Sequence, residues 1–286
     1  MILDAFVSAI TEHCNLNCYY CGSYAPVAKP QFVSIDSFRK DWTKLASLNP
    51  NLNIVLGGGG EPTLHPGLLD FFEVAREIFP HYSWIRMATN GVLLASLGKD
   101  FWESLVKNRI QIAITRYPGV DINEASINVL VRHYGITLLW EPADHAFVGQ
   151  CKDNTRSEFR NKESILTGGK PFREMFTQPI DITGSQDIQC QWDKCWQRNN
   201  CTKEIRNGRL YKCVVASHIH NLIEHFKLDI ENSDENSLDI HSVQSIEEIA
   251  DFLGAPAPLC KYCRINEGQY IQECYRRSNK ELKEWT

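Results

Sequence analysis

The chain has 286 residues, 43% of them hydrophobic and 23% charged, with 35 acidic against 30 basic residues and a formal net charge of −5. That length supports a substantial core, in one large domain or one domain with an appendage, and the fractions are those of an ordinary globular protein. The charge gives no electrostatic reason to expect nucleic acid or an anionic membrane as partner, and no stretch approaches the roughly 20 consecutive apolar residues of a membrane span. The opening run, M-I-L-D-A-F-V-S-A-I, has no basic leader and reads as a buried strand, not an export signal. The 11 cysteines cluster at metal-ligand spacings, which favours reduced thiols in a cytoplasmic setting over disulfides.

In chain order, a first strand at Asp4–Ile10 runs into E-H-C-N-L-N-C-Y-Y-C-G, residues Glu12 to Gly22. Ser34 is placed as the N-cap of a helix over Ile35–Leu48, where Phe38, Trp42 and Leu45 recur at three- and four-residue spacing. A short strand at Asn53–Leu56 ends in Gly57-Gly58-Gly59-Gly60-Glu61-Pro62, and a helix over Gly67–Ile78 follows. The alternation continues with a strand at Ser83–Ala88 ending in Thr89-Asn90-Gly91, a helix at Asp100–Lys107 and a strand at Ile110–Thr115. A helix over Asn123–His133 and a strand at Ile136–Trp140 complete five strand–helix units. Such alternation specifies a parallel sheet with right-handed crossovers. Ligands of such sheets bind beyond the carboxyl ends of the strands. The cysteine loop, the glycine run, Thr89-Asn90-Gly91 and Thr115-Arg116-Tyr117 all lie there.

Past Ala146 the alternation fails, and Gly149–Gln186 carry no assignable pattern. A second cysteine-rich region spans Cys190 to Cys274. Within it, Arg209–Val215 (R-L-Y-K-C-V-V) reads as a strand after an Asn207-Gly208 hairpin turn, and Ser245–Leu253 as a short helix ending at Gly254. The charged tail Ser278–Thr286 reads as solvated.

Cys14, Cys18 and Cys21 fall within eight residues, and thiolates are soft ligands for zinc or iron–sulfur clusters. The next cysteine is Cys151, so one loop supplies three ligands and no fourth. Three cysteines are half of a zinc site; equally, they leave one iron of a [4Fe–4S] cluster open to something else.

Cys14-x3-Cys18-x2-Cys21, with Tyr20 before the last cysteine and Gly58-Gly59-Gly60-Glu61-Pro62 about forty residues on, resembles the motif pair of the radical S-adenosylmethionine enzymes. The resemblance covers Asp4 to about Trp140. It implies an α/β fold, a partial (β/α)6 TIM-like barrel over residues 1–186, followed by a small cysteine-rich auxiliary-cluster domain over residues 187–286. It implies a [4Fe–4S] cluster on Cys14, Cys18 and Cys21, with S-adenosylmethionine on the open iron. An electron from the reduced cluster would then yield a 5′-deoxyadenosyl radical that abstracts a substrate hydrogen atom. Around that cofactor, Gly59 and Gly60 allow close backbone approach, Glu61 accepts from the methionyl ammonium, and Tyr20 packs on adenine. Asn90 and Thr115 are placed to reach ribose hydroxyls, and Arg116 to clamp the carboxylate.

Cys195-x12-Gly208-x4-Cys213 resembles the opening of the twitch or SPASM-like domain of these enzymes, with Cys260-x2-Cys263 completing four ligands of an auxiliary [4Fe–4S] cluster. Cys201 and Cys274 are alternates, and a four-cysteine zinc site is the competing reading. Gln269 and Glu273 stand where the longer form of the domain continues its cysteines, which argues against a third cluster. The segments Phe32–Val33, Phe101-Trp102-Glu103 and Ile112–Pro118 are similar to a group of such enzymes found alongside carbohydrate functions.

The expected reaction is oxidation of a carbinol in a sugar or aminocyclitol-like small molecule, with Glu141 or Asp144 as base and the auxiliary cluster as electron acceptor. Flavodoxin or ferredoxin is the expected external reductant. The alternatives are a radical epimerase with Cys151 as hydrogen donor, a peptide maturase, and a non-catalytic electron-transfer or zinc-stabilised protein.

Overall fold

The computed structural model describes residues 5–80, 84–117, 119–140, 165–171, 175–176, 179–199, 203–265, 270–271 and 275–286. Its first half alternates β1 (Ala5–Ser8), α1 (Ile35–Leu48), β2 (Asn53–Leu56), α2 (Leu68–Ile78), β3 (Ile85–Thr89), α3 (Lys99–Lys107), β4 (Ile110–Arg116), α4 (Glu124–His133) and β5 (Thr137–Trp140). Each helix starts where its local chemistry directs. The Ser34 side chain accepts from the Ser37 amide, and Asn123, in the left-handed region at φ 52°, caps α4 by accepting from Ser126. Phe38, Trp42 and Leu45 form the buried stripe of α1, against Phe71, Phe72 and Ala75 of α2.

β1 to β4 pair in parallel and in sequence order. The next strand in the sheet is not β5 but β6 (Ile165–Pro171), which lies between β4 and β5 and is parallel to both. It comes from the stretch that sequence left unassigned. On the other flank, β8 (Glu204–Arg206) pairs parallel with β1, Val7 opposite Glu204, and continues antiparallel into β9 (Arg209–Tyr211) and β10 (Ser237–Asp239). A nine-stranded sheet in the order β10-β9-β8-β1-β2-β3-β4-β6-β5 results. The fold is α/β with a parallel-dominated sheet, as expected.

The Asn207-Gly208 turn exists, both residues at positive φ as a type I′ hairpin requires. The strand expected over Arg209–Val215 does not. It stops at Tyr211, and Val214 and Val215 open a helix, α6 (Val214–Phe226). The unusual cap is Cys213, whose sulfur accepts from the Ala216 amide at 3.4 Å. α6 organises a second core with Tyr24, Val27, Ile180, Leu259, Tyr262 and Trp285. The remaining elements are β7 (Met175–Phe176), α5 (Ile188–Lys194), α7 (Ile246–Gly254) and β11 (Tyr270–Ile271).

The tail is a second correction. Ser278, Glu284 and Trp285 are buried. The Ser278 hydroxyl donates to Glu284, and Trp285 accepts from the Ile180 amide through its carbonyl while its indole N–H donates to the Cys21 carbonyl. One buried tryptophan outweighs the surrounding charge.

Candidate metal centre

The loop that leaves β1 crosses the carboxyl end of the sheet and is fixed from three sides. The Glu12 amide donates to the Gln31 carbonyl, and the His13 carbonyl accepts from the Glu61 amide at 2.8 Å. On the third side, the Tyr19 amide donates to the Arg276 carbonyl, the Ser278 amide to that of Asn17, and the Tyr275 hydroxyl to that of Leu16. Asn17, Tyr20 and Tyr24 all sit in the left-handed region, at φ 52°, 54° and 55°. Three non-glycine residues there within eight positions mark a backbone held by its surroundings. This winding brings Cys14, Cys18 and Cys21 together. Burial, then the charges of Cys21 and Glu61, pushes the Cys14 thiol up, and burial, then Cys21 and Cys14, does the same to Cys18. Thiolates that raise one another in a buried loop need a cationic centre among them. The donor set fits an iron–sulfur cluster in that respect. Among the described residues, no three His, Cys, Asp or Glu side chains are arranged to hold a single metal ion.

Tyr117, just past β4, was not singled out as a site residue. It is half-buried, hydrogen-bonds Cys18, and is affected by the charges of Cys18, Cys21, Cys14 and Glu61 in turn. Its ring meets Tyr275 edge-on at 5.9 Å. Its place immediately beyond the carboxyl end of β4 was the available signal.

The glycine run has a structural role of its own. A Cβ on Gly59 would lie 2.6 Å from the Thr11 carbonyl oxygen and 2.9 Å from His218, and one on Gly60 would collide with the His13 carbonyl. These glycines let the cysteine loop lie directly on the β2 loop. Glu61 likewise has protein partners. One carboxylate oxygen accepts from the Thr63 amide and hydroxyl and the Thr89 hydroxyl, and the other from the Asn90 amide at 2.8 Å. It ties the ends of β2 and β3 together. The Asn90 side chain donates to Asn15 and accepts from the Val92 amide, so it braces the cysteine loop. Arg116 pairs with Glu124 of α4 at 2.9 Å. Half-buried Thr115 lies where the β4–β6 register shifts, and Tyr20 meets the Tyr19 ring edge-on at 4.4 Å. Glu141, Asp144, Cys151, Cys201 and Cys274 lie outside the described residues.

A second group of thiols forms around α6. Cys195 ends α5, Cys213 caps α6, and Cys260 and Cys263 lie in and just after the short turn Pro258–Tyr262. Burial, then Cys195 and Cys260, pushes the Cys213 thiol up to about 12, and Cys195 likewise raises Cys260. Buried Tyr24 is affected by Cys263, Cys213 and Cys21, and so lies between the two thiol groups.

Beneath the glycine run is a buried ionic network. His218 of α6, fully enclosed, places Nδ1 3.1 Å from Glu12 and Nε2 2.8 Å from Glu204. Arg206 and His220 approach the same Glu12 oxygen at 2.9 and 3.3 Å. Burial alone would lower the His218 pKa. The Glu204 charge and the hydrogen bonds to both carboxylates outweigh burial and the opposing Arg206, and lift it to about 9. Because this folded value lies above the ordinary 6.5, the imidazolium's stabilisation is complete below pH 6.5 and is lost as pH rises through about 9. Thermal unfolding followed across that range should show Tm falling between pH 7 and 10, and the fall should be absent in His218→Gln. An equal fall in both proteins would remove His218 as its source.

Residues 8–126 match the family model described as the radical SAM superfamily. That segment carries the radical SAM domain. Radical SAM proteins are enzymes that use a [4Fe–4S] cluster and S-adenosylmethionine. Two curated relatives, the GTP 3′,8-cyclases of Crocosphaera subtropica and Trichodesmium erythraeum, are each 29% identical over 122 residues, 39% of this chain and 34% of theirs. The match therefore spans about a third of the length of those relatives. Among solved structures, BtrN in complex with AdoMet and 2-DOIA superposes with a TM-score of 0.51 at 14% identity, over 96% of this chain and 99% of its own. This chain shares that fold. No helix among the described residues is long and apolar enough to cross a membrane.

Proposed function

We propose that this radical SAM protein is an oxidoreductase that converts a carbinol of a sugar or aminocyclitol-like small molecule to a ketone, with a second iron–sulfur cluster as electron acceptor. The observation that carries the reading is the half-buried group of Cys195, Cys213 and Cys260, whose charges act on one another, with Cys263, Cys213 and Cys21 all acting on Tyr24. A second thiol group that shares Tyr24 with the first suits an electron acceptor. The end-to-end likeness to BtrN, whose structure holds AdoMet and 2-DOIA, supports a small-molecule substrate.

Cys14, Cys18 and Cys21 would hold the first cluster, which would supply the electron for cleaving S-adenosylmethionine and so the radical chemistry at the carbinol hydrogen. The chain's own residues hold that chemistry in place. Thr89, Asn90 and Asn15 fix the rim on which the cysteine loop rests, and Glu61 locks two strand ends together. Tyr117 donates to Cys18. Glu141 or Asp144 would take the hydroxyl proton, Cys195, Cys213, Cys260 and Cys263 would hold an auxiliary cluster able to accept the second electron, and flavodoxin or ferredoxin would serve as external reductant.

Anaerobically reconstituted protein should bind about eight irons, four per cluster, and release 5′-deoxyadenosine under reduction. A Cys195→Ala/Cys213→Ala variant should keep about four irons and still cleave S-adenosylmethionine, with no ketone formed. Zinc in place of the second four irons would contradict the acceptor role. Absence of cleavage in fully loaded protein would contradict the radical chemistry.

A further inference from the structure

Two lysines beside the second thiol group are as buried as core leucines, Lys203 at 4% and Lys212 at 5% exposure. Lys203 Nζ donates to the carbonyls of Gln197 at 2.6 Å and Arg198 at 3.2 Å. Lys212 Nζ donates to the carbonyls of Phe252, Ala255 and Pro256, the last two at 2.7 and 3.3 Å, and lies over the Phe252 ring at 4.0 Å. Carbonyl oxygens and a ring face only accept, so both pockets favour the ammonium form, against burial, which lowers both lysines and brings Lys212 to about 8. Among the described residues neither lysine forms an ion pair with a carboxylate. A buried cation without a counter-charge is costly. Sulfur is near instead: Lys203 is tied to the turn that follows Cys195, and Lys212 immediately precedes Cys213. The charges of Cys213 and Cys195 act on Lys203, and those of Cys260 and Cys213 on Lys212.

We infer that Lys203 and Lys212 are built-in counter-charges of an iron–sulfur cluster on Cys195, Cys213, Cys260 and Cys263, and that they raise its reduction potential so that it accepts the substrate's electron. This rests on the second-cluster reading given above. A cluster held by four thiolates is anionic, and reduction adds one more negative charge. A fixed ammonium on each side stabilises the reduced form more than the oxidised one, since net charge and hydrogen bonding set such potentials. The electron enters from the substrate radical, and its proton leaves to the base, so the lysines change only the driving force. They are positioning residues in that sense, distant from the reacting carbon.

The test uses the full chain carrying Cys14→Ala, Cys18→Ala and Cys21→Ala, so that only the second cluster remains, with the potential read by redox titration under electron paramagnetic resonance. That protein should hold about four irons. Failure to hold iron there, with zinc bound instead, would defeat the second-cluster reading itself and is recognised before any lysine is changed. Given the iron, Lys203→Met and Lys212→Met should each shift the reduction equilibrium about tenfold toward the oxidised form, ~59 mV for one electron. Lys203→Arg, which keeps the charge, should hold the parent potential. Where a methionine variant does not fold, Lys203→Gln or Lys212→Gln keeps a hydrogen-bond donor without the charge and should shift as far. An unchanged potential in loaded methionine or glutamine variants would overturn the counter-charge role.

Discussion

Replacing His218 with leucine is expected to destabilise the protein by about 3–5 kcal/mol, the usual cost of removing one partner from a buried charge pair. The imidazole is fully enclosed, with Glu12 on one nitrogen and Glu204 on the other. Leucine fills similar space yet leaves two buried carboxylates with no cation between them. Glu12 keeps Arg206 and His220, so the orphaned group is Glu204, itself 1% exposed and next to Gly58. Urea unfolding of parent and variant measures the difference directly. His218→Gln retains donors and should lose less. A change under 1 kcal/mol for leucine would contradict the buried-pair account. Iron content should fall with stability, because Glu12 is two residues from Cys14.

Changing Gly60 to alanine should cost on the order of 100-fold in S-adenosylmethionine cleavage, the scale expected when a reacting group is displaced by about an ångström. The added methyl meets the His13 carbonyl oxygen, and also its carbon at 2.7 Å and its nitrogen at 2.8 Å. All three are backbone atoms, which cannot rotate aside. The loop must lift, and Cys14 lifts with it. Gly254→Ala is the control, since nothing lies within 4 Å of its new Cβ. It sits in the last turn of α7 and should be neutral or stabilising. Iron stoichiometry and 5′-deoxyadenosine release separate the two variants. Equal behaviour would show that the β2 loop yields without moving the thiols.

The first 140 residues were legible because each unit carries its own local instruction. α1 begins at the serine that caps it, and Phe38, Trp42 and Leu45 fall on one stripe. Where the reading failed, the deciding information was not local. β6 reads I-L-T-G-G-K-P, with two glycines inside and a proline at its end, and only its partners β4 and β5 make it a strand. α6 begins with two β-branched residues straight after a hairpin, and its cap is a cysteine, which no capping rule favours. The cysteine loop and glycine run were visible as motifs. Their direct packing was not, because the contact between Gly60 and His13 joins backbones almost fifty residues apart. That Gly59, Gly60 and Glu61 also hold the loop in place was not legible, because their partners lie on other loops. Tyr117, Lys203 and Lys212 carry no motif; only burial beside sulfur distinguishes them.

The ionic network under the glycine run also sets an order of events during synthesis. Glu12 and His218 are 206 residues apart. At 5–20 residues per second, roughly 10–40 s separate the emergence of one from the other. Throughout that interval the three thiols are already outside the ribosome, while the helix beneath them and the tail segment above them do not yet exist. The nascent chain thus offers an open cradle to the iron-delivery machinery and, equally, to oxygen. Maturation of this protein is a race between loading and closure, and its yield in cells should depend on iron–sulfur supply while the chain is being made more than on supply after its release.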